Sequence, residues 1–257
     1  MKKSLLLLLI LILVAGCSPG KTSFRKPETI MILSYNVKNC NGMDGVTDYR
    51  RVAEIIKRIN PVVVALQELD SATLRSKGVV VPDTLAKLTG MHQTFGASIT
   101  YQGGKYGVGV LSVEKPRGWM RLQLPGKEEE RSILFVEFRN FVLGCTHFSL
   151  TPDDRLASVV IVNEAAKSWS KPVFLAGDIN ANPSSEVIRS FSTGWQILND
   201  TSAYTIPSDK PRRCIDYVMA LRSAGLNFVT RKTVVEQEPV ASDHLPVWVE
   251  VEVYGKR

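Results

Sequence analysis

A chain of 257 residues with 44% hydrophobic and 22% charged residues carries enough apolar material for one sizeable core, which excludes a disordered or fibrous protein. The formal charge is +7, and setting aside residues 1–16 with Lys2 and Lys3 leaves 30 basic against 25 acidic residues, or +5. The Lys and Arg residues are scattered rather than gathered in a dense tract, so charge alone does not call for a nucleic-acid partner.

Met1-Lys2-Lys3 followed by the apolar run from Leu5 to Ala15 has the form of a basic n-region and a short h-region. The run falls short of the ~20 apolar residues that a spanning helix needs. Val14-Ala15-Gly16-Cys17 resembles the lipobox of bacterial lipoproteins, in which the Cys becomes the lipidated first residue of the mature chain. Residues 1–16 are therefore expected to be a signal peptide and Cys17 the lipidation site, holding the protein on a membrane of the bacterial cell envelope. The non-acidic run Ser18-Pro19-Gly20-Lys21 makes the periplasmic side the default. Residues 17–27 read as the lipidated Cys and a tether, and residues 28–257 as one folded domain. Of the other cysteines, Cys40, Cys145 and Cys214 allow at most one internal disulfide, and none has a second Cys at metal-ligand spacing. Their apolar settings suit small buried hydrophobes.

Along the domain, Thr29 to Tyr35 reads as a first buried strand ending at Asn36. Asp48 is placed to cap a helix through Ile59, with Val52, Ile55, Ile56 and Ile59 at helical spacing and Pro61 closing it. Val62 to Leu66 is a continuous apolar strand that ends at Gln67-Glu68, and Pro82 to Leu88 a short helix stopped by Gly90. Strands are expected at Phe95–Ile99, Tyr106–Val113, Trp119–Leu124, Ile133–Phe138 and Phe141–Phe148, separated by turn signals. Pro152 to Trp169 is the longest helical stretch, with Leu156, Val159, Val160, Asn163 and Lys167 on one period. Val173 to Ala176 is a short buried strand delivering Gly177-Asp178-Ile179-Asn180. A helix at Ser185–Phe191, a Pro-rich loop to Pro211 and strands at Cys214–Ala220 and Phe228–Val235 follow. Val247, Val249, Val251 and Val253 then alternate with Trp248, Glu250, Glu252 and Tyr254, the pattern of a half-buried strand entered from Ser242-Asp243-His244-Leu245-Pro246.

Six polar sites share one setting, the end or edge of an apolar strand: Asn36, Glu68, His147, Asp178 with Asn180, Asp216, and Asp243 with His244. Each has an ordinary structural use taken singly, as a turn residue, a helix cap or a core histidine. Together they describe one site, because rigid strands aim their terminal side chains at a common crevice.

Ser34-Tyr35-Asn36-Val37, Gln67-Glu68, Thr146-His147-Phe148, Gly177-Asp178-Ile179-Asn180, Ile215-Asp216-Tyr217 and Ser242-Asp243-His244-Leu245-Pro246 resemble the ordered motifs of the endonuclease/exonuclease/phosphatase superfamily. That group includes DNase I, abasic-site endonucleases, neutral sphingomyelinases and inositol polyphosphate 5-phosphatases. The resemblance runs from about Thr29 to Tyr254, with every motif in the expected order, and the run Thr205-Ile206-Pro207-Ser208-Asp209-Lys210-Pro211 ahead of Ile215-Asp216-Tyr217 looks like compact bacterial envelope members of the group. It implies an α/β (α+β) fold, a four-layer α-β-β-α sandwich of two mixed sheets with helices outside. It also implies phosphoester hydrolysis with Mg²⁺ (or Mn²⁺), by in-line attack of an activated water.

By the same resemblance Glu68, with Asn36 and Asp243, is the expected metal site, an all-oxygen set suited to a hard cation. Asp178 is implied to handle the nucleophilic water and Asn180 a phosphate oxygen. His244 would face the phosphate, held by Asp216, as general base or as a cationic stabiliser. His147 is implied to donate to a phosphate oxygen. Lys38 departs from the acidic or small polar residue of several nucleases, and Arg155 is a further candidate for substrate contact. The substrate is a phosphoester, with small-molecule, lipid-linked and nucleic-acid forms all open. No obligate protein partner is implied. The alternatives are a non-catalytic binding lipoprotein on the same fold, which would be expected to lose motif residues, and a secreted-type DNase.

Overall fold

In the computed structural model, which describes residues 27–255, twelve strands form two six-stranded sheets. The first contains β1 (Glu28–Asn36), β2 (Val63–Ser71), β3 (His92–Tyr101), β4 (Gly104–Ser112), β11 (Leu226–Val235) and β12 (Val247–Gly255), in the order β11-β12-β1-β2-β4-β3. The second contains β5 (Gly118–Leu124), β6 (Arg131–Glu137), β7 (Val142–His147), β8 (Val173–Asp178), β9 (Trp195–Ile197) and β10 (Asp216–Leu221), in the order β5-β6-β7-β8-β10-β9. Both sheets are mixed, because β1 pairs with β2 and β7 with β8 in parallel, while their other neighbours are antiparallel. The expected signal peptide, Cys17 and the tether as far as residue 26 lie outside the described residues.

Period-two alternation sorts the side chains into layers. In β1, Ile30 and Ile32 face the other sheet while Leu33 and Tyr35 face outward; in β8, Phe174 and Ala176 point in and Val173 and Leu175 out. The inner faces share one buried cluster in which Phe141 and Phe174 lie edge to face at 6.0 Å and Phe174 and Phe228 at 5.6 Å. Each such side chain contributes about 1.5–3 kcal/mol of burial. Helices α1 (Tyr49–Ile59) and α2 (Val81–Thr89) cover the first sheet through Val52, Ile55, Ile56, Val81 and Leu85. Helices α3 (Pro152–Lys167) and α4 (Glu186–Ser192) cover the second through Val159, Val162, Val187, Ile188 and Phe191. The result is the four-layer α-β-β-α sandwich.

The helix ends follow the local chemistry. Asp48 accepts from Arg50 N and Arg51 N at the start of α1, and Ser185 accepts from Ile188 N at the start of α4. Gly90, at φ 75°, closes α2.

Several expectations need correction. β2 does not end at Gln67-Glu68 but continues to Ser71 across a break in register between Leu66 and Leu69. Asp216 begins β10 rather than ending a strand, and Cys214 and Ile215 precede it. The buried face of α3 is Ser158, Val159, Val162 and Ala166, whereas Val160 is 62% exposed. The helix lies on the sheet one residue round from the face its apolar residues suggested, with Asn163 turned to accept from Trp195 Nε1 at 2.8 Å. The short edge strand β9 and a 3-10 turn at Lys38–Cys40 had no legible signal. Cys40, Cys145 and Cys214 are all free and buried.

Candidate active site

Topology brings the polar strand ends together. β7 and β8 run in parallel register to His147 opposite Asp178, and antiparallel β10 starts with Asp216 opposite the same Asp178. In the first sheet, β12 runs antiparallel to β1, so the Asp243-His244 segment that enters it lies at the end of β1 where Asn36 sits. Ser242 Oγ fastens this segment by donating to Asn36 O at 2.7 Å. A strand's end and an antiparallel neighbour's start are the same edge of a sheet, which is how residues far apart in sequence reach one cleft.

Glu68 enters the cleft through backbone irregularity. It occupies the left-handed region at φ 59° inside the β2 register break, an uncommon conformation for a residue other than glycine. The break lets Gln67 turn into the interior, where its Nε2 lies 3.6 Å from Cys145 Sγ, while Glu68 lines the cleft. Asn180 is also left-handed, at φ 52°, and its side chain donates to Phe148 O at 2.9 Å. Strain of this kind is of order 1–3 kcal/mol per residue and persists where surrounding contacts over-determine it.

Asp178 is the hub. Asn180 N donates to its Oδ1 at 2.9 Å and Asn36 Nδ2 to its Oδ2 at 3.2 Å, and the same Asn36 amide donates to Glu68 Oε1 at 3.0 Å. His147 Nε2 and His244 Nε2 lie 3.5 and 3.6 Å from Asp178 Oδ2. His244 Nδ1 in turn meets Asp216 Oδ2 at 2.9 Å and Oδ1 at 3.2 Å. Seven of the eight catalytic and metal positions read from the sequence are thus linked by direct contact. Asp243 stands slightly apart: its carboxylate accepts from Ser242 Oγ at 3.3 Å and lies 4.0 Å from Lys38 Nζ.

Burial separates the charge states. Burial, together with the neighbouring Asp216 carboxylate, raises Asp178 to about 7, and His244 and the two amide donors only partly offset this. Burial alone would lower His244, but the carboxylates of Asp216 and Asp178 outweigh it and raise the imidazole to about 10. His147 goes the other way: burial, then the positive charges of Arg131 and His244, hold it well below the usual histidine range.

Glu68, His147, Asp178, Asn180 and His244 line a cleft of about 280 Å³ together with residues that the sequence did not flag, among them Tyr106, Glu129, Arg131 and Arg213, whereas Asn36, Asp216 and Asp243 lie outside its lining. Arg131 was hidden in the run Lys127-Glu128-Glu129-Glu130-Arg131, which reads as a solvated turn. It is only 7% exposed, and its Nη1 lies 3.2 Å from His147 Nδ1. The sequence carried no signal that this charge turns inward. Arg155 is committed elsewhere, donating to Ser149 O and Leu150 O at 3.2 and 2.7 Å.

The donor chemistry suits a divalent cation in two adjoining places. Asp178, Asp216 and His244 present ligand atoms within 4.8 Å of one another, a spacing that suits a cation only once His244 gives up the proton that Asp216 holds on it. Glu68, on the cleft wall, pairs with no Lys or Arg among the described residues and leaves carboxylate oxygen free for a hard cation.

Residues 1–18 match the model of a prokaryotic membrane lipoprotein lipid attachment site. The fold is similar to an endonuclease/exonuclease/phosphatase from Beutenbergia cavernae DSM 12333, with a TM-score of 0.76 and 23% identity over 89% of this chain and 72% of that one. It is also similar to a mannosyl-6-phosphatase from Bacteroides thetaiotaomicron VPI-5482 (TM-score 0.70, 17% identity, 86% and 99% covered). The human Nocturnin catalytic domain with bound sulfate has a TM-score of 0.66 at 17% identity, with 88% and 97% covered. None of the curated proteins compared matches this sequence. The model described as the endonuclease/exonuclease/phosphatase family matches residues 33–244, from the middle of β1 to the histidine that faces Asp178, and the chain belongs to that family.

Proposed function

We propose that this cleft hydrolyses small or lipid-linked phosphoesters, with Asp178 as the base for the attacking water and Mg²⁺ or Mn²⁺ on Glu68, Asn36 and Asp243. The class of enzyme, a metal-dependent phosphoester hydrolase held at the bacterial cell envelope by a lipid, follows from the family and the attachment site. The observation that carries the finer reading is Asp178, buried between two histidines and raised to about 7, where a carboxylate can take a proton near neutral pH. The periplasmic face is part of the same proposal.

When bound, the cation supplies charge neutralisation to the phosphoryl oxygens and the leaving group. Asn36 links Glu68 to Asp178 through one amide and so fixes the distance between the metal carboxylate and the base. Asn180 spends one N–H on Phe148 O and keeps the second for a phosphate oxygen. His244, kept cationic by Asp216, faces the charge that builds on the phosphoryl group. His147 contributes a further donor. Lys38 Nζ lies 4.0 Å from the Asp243 carboxylate.

A cleft of about 280 Å³ is at the small end for organic ligands, and the Lys and Arg residues are scattered along the sequence rather than gathered in a dense tract. The similar fold of a protein named a mannosyl-6-phosphatase is in keeping with a phosphorylated sugar among the candidate substrates. Here Glu129, a carboxylate on the cleft wall, offers an acceptor to a hydroxyl-bearing leaving group. A panel of bis-p-nitrophenyl phosphate, sugar phosphates, inositol phosphates, sphingomyelin and plasmid DNA tests the reading. Turnover of a small or lipid-linked phosphoester is expected; cleavage of plasmid DNA alone would replace it with a nuclease. Calorimetric Mg²⁺ binding separates the two cation positions. Glu68→Gln is expected to weaken binding more than Asp216→Asn, and the reverse order moves the cation to the Asp178–Asp216–His244 cluster.

A further inference from the structure

We propose that Arg131 is a positioning residue that fixes His147 as the neutral tautomer with its proton on Nε2, a permanent donor aimed into the cleft. The inference rests on the phosphoesterase reading for what the donor serves, but its geometry stands by itself. A guanidinium has donors and no acceptor. With Arg131 Nη1 at 3.2 Å from His147 Nδ1, that nitrogen must accept, so it carries no proton and the ring's one proton is on Nε2. Nε2 is the atom that lies 3.5 Å from Asp178 Oδ2, at the centre of the site.

Arg131 is itself held. Its Nη2 lies 3.2 Å from Glu128 Oε1 and its Nη1 3.3 Å from Glu129 Oε1. Glu128 also accepts from Leu150 N at 2.7 Å and from Ser149 Oγ at 2.9 Å, which ties the turn before β6 to the segment just after His147. The arginine and the histidine it addresses are therefore fixed to the same piece of backbone.

Three charged or titratable groups face His147: Arg131 from β6, Asp178 from β8, and His244 from the segment before β12. Asp178 alone would favour an imidazolium, as Asp216 does for His244. Arg131 and His244 oppose it, and the ring is buried. The two histidines beside Asp178 are thus set to different states by partners of opposite charge. His244 Nδ1 faces a carboxylate that can only accept, and His147 Nδ1 faces a guanidinium that can only donate. A neutral Nε2–H can donate to a phosphoryl oxygen without adding a second cation to a site that already holds His244.

The test is the ¹⁵N spectrum of the imidazoles in metal-free protein at neutral pH. The chain has 3 histidines, so a His92→Asn variant assigns the exposed one and His244→Asn another. His147 is expected to show a protonated Nε2 and a bare Nδ1. In Arg131→Met the ring is expected to become a tautomer mixture or an imidazolium. The turnover number should fall roughly 10-fold to 100-fold, the range for groups that orient a functional histidine, with KM little changed. A wild-type spectrum with the proton on Nδ1, or with both nitrogens protonated, overturns the proposal even if Arg131→Met does not fold. So does a folded Arg131→Met with an unchanged His147 spectrum. Because the spectrum needs no substrate, loss of the phosphoesterase reading and loss of this inference are separate results.

Discussion

At the residue scale, two groups in the cleft have displaced protonation. Asp178 must be ionised to accept a proton, so a raised value near 7 means that activity falls as the pH drops through about 7. His244 must keep its proton, so activity falls again as the pH rises through about 10. A profile of kcat/KM is expected to show both limbs; a flat acid limb down to the ordinary carboxylate range would remove Asp178 as base. The Asp216–His244 contact makes a second prediction. Asp216→Asn should keep the fold but leave the imidazole without its acidic partner, reducing turnover roughly 10²–10³-fold, less than in a serine-protease triad because a metal shares the charge. His244→Ala should cost at least as much, and the double variant little more than the worse single one. Additive, independent losses in that cycle, with circular dichroism unchanged, would break the pair.

The elements explain why these residues meet. Gly177 lies where β7 and β8 approach each other, and a Cβ there would run into the Thr146 carbonyl. Gly177→Ala should therefore destabilise by about 1–3 kcal/mol in denaturant unfolding and disturb His147 and Asp178 together, since they are paired in register beside it. An unchanged midpoint and unchanged turnover would mean that the strands can part without consequence. Most of the strands and two helix ends were legible in the sequence because alternation and capping are local: Asp48 and Gly90 act within a few residues of where they stand. The β2 break at Glu68 was not, because a left-handed glutamate is imposed by its partners across the sheet rather than by its own propensity. The face of α3 was misread for a related reason. Its apolar residues extend around the helix, and contact with the sheet decides which of them is buried, leaving Val160 outside. Arg131 escaped notice because only the fold shows that one charge in an acidic turn points inward.

For the molecule as a whole, the ordered set of motifs made both the sandwich and the site readable, since each motif marks a strand edge and the edges share one cleft. What no motif supplied was the cleft wall built from β4 and the turn before β6. The lipid attachment match places the whole enzyme on a membrane, so Cys17→Ala should release it into the soluble fraction. Persistence of that variant on membranes after a high-salt wash would contradict the anchor. The central claim is that phosphoester hydrolysis in this cleft depends on a divalent cation held by oxygen ligands. It is tested most directly by the initial rate of bis-p-nitrophenyl phosphate hydrolysis in protein stripped with EDTA and then titrated with Mg²⁺ or Mn²⁺. The rate is expected to vanish in chelator and return with either ion. A full rate in EDTA, with the metal content of the protein measured as negligible, would contradict it.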